Sequence, residues 1–154
     1  MKTFARVFAI AALALAPSTS LADPSTPAVE QRRQSPANAS ADSEYNRGVR
    51  ARVATDWATA ADAFRRAVGF RADFPEAWNE LGYALRNQGR YAESLAAYDR
   101  ALKLRPNFPE ALEYLGEAYV KMGRLDDARR ILDRLLPLDR ARADELADEI
   151  AKSK

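Results

Sequence analysis

Phe74-Pro75-Glu76-Ala77 returns as Phe108-Pro109-Glu110-Ala111, an offset of 34 residues from Pro75 to Pro109. The match runs on: Trp78, Leu81 and Gly82 are followed one period later by Leu112, Leu115 and Gly116. A fixed internal period of this size points to stacked helical hairpins, each unable to cover its own apolar face. Stacked hairpins present an extended surface, which suits binding better than chemistry.

Outward from that repeat the pattern is helical throughout. Apolar residues recur at spacings of three and four: Ala77, Trp78, Leu81 and Leu85 share one face, as do Leu95, Tyr98 and Leu102. Pro75 and Pro109 fit a first helical turn, where a missing N–H costs nothing. Glu76 and Glu110 in that turn complement the positive helix end. Gly89 and Gly123 break between paired helices. The expected helices are 41–54, 57–70, 75–88, 91–104, 109–122, 125–136 and 140–152, with no alternating β-branched run to suggest a strand.

The spacing Trp78, Leu81-Gly82, Leu85, Ser94, Tyr98, Ala101 and Pro106 resembles the tetratricopeptide repeat (TPR). The next unit has Leu112, Leu115-Gly116, Tyr119, Ala128, Leu132 and Leu135; the preceding one has Gly48, Ala60, Phe64 and Ala67. The expected fold is therefore all-α, a superhelix of about three TPR hairpins plus a C-terminal capping helix. The expected divisions are a signal peptide at 1–22, a disordered linker at 23–40, three repeats across 41–140 (about 41–74, 75–108 and 109–140), and a capping helix and tail at 141–154. Small residues at Gly48, Gly82 and Gly116, opposite Ala60, Ser94 and Ala128, let paired backbones approach. Two departures stand out. Glu44 and Arg47 occupy the places of Trp78 and Leu81, as for a terminal hairpin whose outer face meets water. Leu135 replaces the small Ala101 and Pro137 follows, so the last junction is expected to differ in angle.

The N-terminus has the three parts of a secretory signal: Lys2 and Arg6, the apolar run Val7 to Ala16, and Ser20-Leu21-Ala22 before a cut ahead of Asp23. The ten-residue run is about half of what spans a bilayer. This predicts export to a bacterial periplasm without a membrane span in the mature chain. Residues 23–40 carry Pro24, Pro27, Pro36 and many polar residues, and read as a flexible tether. The net charge of +2 disappears with Lys2 and Arg6, leaving no bulk basicity for nucleic acid. Without Cys or His there is no disulfide, thiol nucleophile, Ser-His pair or Cys/His zinc site. No cofactor or metal is expected, and the chain is not expected to be an enzyme. Glu113 and Glu117, one turn apart, are the best remaining carboxylate pair, and Asp126 with Asp127 the best calcium ligands; neither has companions at a recognisable spacing.

The TPR resemblance implies a partner groove on the first helices of the hairpins. Its exposed positions would be Tyr45, Val49 and Arg52; Glu76, Asn79, Tyr83, Arg86 and Asn87; and Glu110, Glu113, Glu117, Val120 and Lys121. Asn79, Tyr83 and Asn87 suit an extended peptide backbone, although Tyr83 also reads as packing between hairpins. Glu110, Glu113 and Glu117 form an acidic row, read either as a solvated face or as attraction for a basic partner. Some TPR domains clamp a C-terminal carboxylate with basic residues, which Glu110 and Tyr114 do not provide. The expected role is a protein-protein adaptor of the bacterial envelope. The alternatives are a homo-oligomeric unit in which 140–152 docks onto another copy, and a carboxylate-dependent enzyme or small-ligand receptor.

Overall fold

The computed structural model describes residues 39–153. The expected signal peptide and most of the expected linker lie outside the described residues. Seven helices follow one another: α1 (Ala41–Val53), α2 (Trp57–Phe70), α3 (Pro75–Asn87), α4 (Tyr91–Leu104), α5 (Pro109–Lys121), α6 (Leu125–Leu135) and α7 (Arg140–Lys152). None of them is long and apolar enough to cross a membrane.

Local chemistry sets the boundaries. Ser40 opens α1 through a capping box with Ser43: each side-chain oxygen accepts from the other residue's backbone N–H, at 3.2 and 2.8 Å. Asp56 and Asp139 cap α2 and α7 by accepting from the N–H of Thr59 and Arg142. α3 and α5 have no side-chain cap and begin with Pro, as the sequence pattern predicts. The turn inside each hairpin passes through one left-handed residue: Gly89 (φ 74°), Gly123 (φ 70°) and, at the same place in the first hairpin, Thr55 (φ 56°).

α1/α2, α3/α4 and α5/α6 pack as hairpins, and each packs against the next. The close approach predicted at the glycines is present in the first two. A Cβ on Gly48 would sit 2.6 Å from the Phe64 ring, and one on Gly82 equally close to the Tyr98 ring. Ser94 Oγ donates to the Gly82 carbonyl at 2.8 Å, tying the hairpin at its narrowest point. The period extends to ion pairs. Arg71 reaches Asp42 and Arg105 reaches Glu76, and these arginines lie over Phe74 and Phe108 respectively.

The third hairpin differs. α6 has 11 residues, against 14 in α2 and α4, and Leu135 is fully buried. α7 packs on both α5 and α6, the place a further hairpin's first helix would take. It buries Ala143, Leu146 and Ile150, and the Leu146 side chain fills the space over Gly116. The apolar interior consequently has no single centre. One cluster gathers Phe64, Leu81 and Leu85, another Tyr98, Leu112, Leu115 and Leu146, and the partly buried Trp78 touches both.

One expectation is corrected here. Glu44 does not face water: it is buried and paired to Arg47 at 2.8 Å, and Arg47 also reaches Asp62 on α2 at 3.0 Å. An ionic network fills the place that Trp78 and Leu81 occupy one period later.

Candidate binding groove

The inner stripes of α1, α3 and α5 turn toward one space. Tyr45 on α1 shows this electrostatically. Its hydroxyl is pushed up first by burial, then by Glu80 and Glu76 on α3 and by Glu110 on α5. Tyr114 on α5 is pushed up to about 12, again first by burial and then by Glu110, Glu113, Tyr83 and Glu80.

An aromatic line crosses the hairpins. Tyr83 lies between Trp57 and Tyr114, with ring centroids 5.7 and 4.9 Å away. Arg86 sits over both tyrosines, 5.1 and 5.3 Å from their centroids, and pairs with Glu117 on α5. Tyr83 is thus a half-buried packing residue that keeps one edge at the surface.

Ion pairs step along the same face. Arg52 on α1 pairs with Glu80 on α3 at 3.2 Å, Arg86 on α3 with Glu117 on α5, and Glu113 on α5 with Arg142 on α7. Arg86–Glu117 is the pair most withdrawn from water, while Arg52 and Arg142 keep about a third of their side chains exposed. Burial raises the Glu80 carboxyl, with Glu110 adding to the rise and Arg52 opposing it. Burial likewise raises Glu113 against the pull of Arg142.

Three of the positions expected to be exposed are buried. Asn79 is 1% exposed and Glu113 4% exposed, and Val120 is also buried. Asn79 sinks into the floor of the face, Glu113 is held by Arg142, and Val120 lies at the α7 end, bordering a hollow lined by Glu149 and Lys152. The acidic row is therefore not continuous. Glu113 and Glu117 each serve a different arginine, which removes them as a facing carboxylate pair. Asp126 and Asp127 are likewise spent on Arg129, Arg124 and Arg130.

Tyr45, Val49, Arg52, Glu76, Tyr83, Arg86, Glu110 and Glu117 are half-exposed, and Asn87 and Lys121 are exposed. The structure brings Arg86, Asn87, Glu117 and Lys121 together with Tyr91 and Glu149 around a polar hollow of about 390 Å³. Sequence reasoning missed Glu80, Trp57, Tyr91, Arg142 and Glu149 as members of this face. Glu80 stands one residue beside the stripe that carries Asn79, as Tyr114 stands beside Glu113, so the repeat alignment carried a signal for it. Arg142 and Glu149 carried none, because α7 lacks the repeat's pattern.

Comparison with known proteins agrees with this architecture. Residues 82–123 match a family model described as TPR repeat, and residues 111–146 match one described as tetratricopeptide repeat. No curated protein sequence matches the chain. Among solved structures, the TPR2B domain of yeast Sti1 in its pHsp70 complex superposes with a TM-score of 0.70 at 18% identity, covering 74% of this chain and 98% of that one. The first TPR of Spaghetti (RPAP3), bound to the HSP90 peptide SRMEEVD, gives 0.69 at 16% identity, with coverage of 73% and 91%. MamA gives 0.63 at 25% identity, covering 68% of this chain and 61% of that one. A 34-residue period in the sequence, its counterpart in packing and ion pairs, and the two matched models identify residues 82–146 as tetratricopeptide repeats, within a described chain that has the tetratricopeptide-repeat fold.

Proposed function

We propose that this chain is a protein-protein interaction adaptor that holds a peptide or a partner's surface segment on the inner face of α1, α3 and α5, and that it works in the bacterial cell envelope after export. The observation that carries the reading is the linking of three helices from three hairpins along one face, by Arg52–Glu80 between α1 and α3 and by Tyr83–Tyr114 and Arg86–Glu117 between α3 and α5, with Tyr45, Tyr83, Glu110 and Asn87 keeping surface. Two similar folds, TPR2B of Sti1 and the first TPR of RPAP3, are seen with pHsp70 and with the HSP90 peptide SRMEEVD. Their sequence identity is too low to carry those partners across. That peptide is acidic, whereas Glu110 and Tyr114 stand here where a basic clamp would be needed.

The test is crosslinking in the native cell envelope with the parent chain and with a Glu110→Lys, Asn87→Ala double variant, both exposed enough to change without disturbing the core. The partner is expected to be lost from the variant. Its undiminished capture would move the site off this face. The export part of the reading predicts Asp23 as the mature N-terminus by mass spectrometry, and an uncleaved chain would remove it.

A further inference from the structure

The inner face has a definite polarity around Glu110. Four of its glutamates have an arginine: Glu76 with Arg105, Glu80 with Arg52, Glu113 with Arg142 and Glu117 with Arg86. Glu110 has no ion-pair partner within 4 Å among the described residues, yet it acts on Tyr45 of α1, Glu80 of α3, Tyr114 of its own helix and Arg142 of α7. It is half-exposed and lies one helical turn before Tyr114, whose ring is 4.9 Å from that of Tyr83 on α3.

A second feature is independent of that carboxylate. Asn79 lies between Glu76 and Tyr83 on the same helical stripe, is 1% exposed, and its Oδ1 accepts no hydrogen bond. Glu80 Oε2 is also buried without a hydrogen bond, since Arg52 Nε at 3.2 Å approaches it outside hydrogen-bonding geometry. A buried acceptor without a hydrogen bond is costly, so a donor that reaches Asn79 Oδ1 gains more than it would at the open surface. The rings of Tyr45, Tyr83 and Tyr114 present negative faces. The arginines of the face, Arg52, Arg86 and Arg142, are already committed to glutamates, and its lysine, Lys121, lines the hollow at the far end of α5 from Glu110. What is left over around Glu110 attracts a donor or a cation, and a recessed acceptor is best reached by a long, thin side chain.

We propose that the segment held on this face is cationic, an extended stretch whose Lys or Arg side chain seats at Glu110 beside Tyr45 and Tyr114 and donates toward Asn79 Oδ1. This rests on the reading of the inner face as the partner's site, and it adds the partner's charge. A Lys ammonium supplies three donors and an Arg guanidinium five, enough for a carboxylate and a carbonyl acceptor together. Such a contact weakens with salt in so far as Glu110 remains half-exposed.

The test uses residues 23–154 and three labelled synthetic peptides that alternate Gly with Lys, Gln or Glu, followed by fluorescence anisotropy at low and high salt. The Lys peptide is expected to bind at least about tenfold tighter than the Gln peptide, and the Glu peptide not at all. Glu110→Gln, a near-isosteric change at a half-exposed site, is expected to weaken the Lys peptide about tenfold, the loss of one charge-assisted hydrogen bond. Asp133→Asn, an exposed carboxylate on α6, is expected to leave binding unchanged. No binding of the Lys peptide, equal binding of all three, or unchanged binding to Glu110→Gln overturns the proposal. If the envelope partner is lost from the double variant while the Lys peptide does not bind, only the cationic assignment fails. If the partner is kept, the groove reading fails with it.

Discussion

Adding one methyl group at three glycines separates the packing account from helix propensity alone. Gly69, near the end of α2, has nothing within 4 Å of where a Cβ would lie. Gly69→Ala should therefore return only the propensity difference, a gain of about 0.5–1 kcal/mol. Gly82→Ala collects a similar gain but drives its Cβ to 2.6, 2.7 and 2.9 Å from three carbons of the Tyr98 ring. Carbon atoms pack at about 3.5–4.0 Å, so the ring must retreat by about 1 Å. Tyr98 is fully buried and its ring lies 6.4 Å from that of Tyr114, so the movement is resisted on both sides. Overpacking of this kind costs about 1–3 kcal/mol, leaving Gly82→Ala destabilised by up to about 2 kcal/mol after the propensity gain. Gly116→Ala meets the methyl end of Leu146, which can rotate or withdraw with α7, so it should fall between the two. Urea unfolding followed by far-UV circular dichroism gives the order directly. In thermal unfolding, 1 kcal/mol corresponds to about 4 °C for a domain of this size. If Gly82→Ala proves as stable as Gly69→Ala, the close helix approach is not what selects glycine there.

Other consequences can be checked with single variants. Thr55 holds a left-handed φ of 56° where the later hairpins use Gly, so Thr55→Gly should raise stability by about 1 kcal/mol; a lower urea midpoint would contradict that strain. Leu146→Ala empties the space over Gly116 and should cost about 2–5 kcal/mol. In hydrogen exchange α7 should open first while α1 to α4 stay protected, and uniform loss across all helices would contradict a locally docked terminal helix. Burial raises the Glu80 carboxyl in the folded chain despite Arg52, so the native state holds that proton more tightly than the unfolded one. Its contribution to stability is complete below the unfolded value and is lost as pH rises through the raised native value. Glu80→Gln should then match the parent below about pH 4 and exceed it at neutral pH. A parent that is the more stable of the two at neutral pH would show that the Arg52 pair outweighs the cost of burial.

The helices and their pairing were legible because their signals are local. Pro75 and Pro109 at first turns, Gly89 and Gly123 at left-handed turns, and Gly82 opposite Ser94 each report a backbone requirement that no distant residue can alter. The groove was less legible. Helical spacing correctly put Glu76, Asn79 and Tyr83 on one stripe, but a stripe has no depth. Asn79 lies at the bottom of its stripe, 1% exposed, and Tyr83 is stacked between Trp57 of α2 and Tyr114 of α5. The acidic row failed as a row for a similar reason. Arg86 stands 31 residues before Glu117, and Arg142 stands 29 after Glu113, distances at which a sequence pattern carries no pairing rule. Glu44 was misplaced because its partner Arg47, three residues on in α1, is tied in turn to Asp62 on α2, a contact between helices that spacing along the chain does not announce.

By itself the sequence determined that this chain builds repeated helical hairpins and where each one turns, since period, glycine and proline act within a few residues. Only the tertiary structure decided which inner residues remain available. Exposure and ion pairing depend on how near separate helices approach, and α7, which lacks the Leu-Gly pattern of α3 and α5, supplies the Arg142 that pairs with Glu113 and the Leu146 that lies over Gly116.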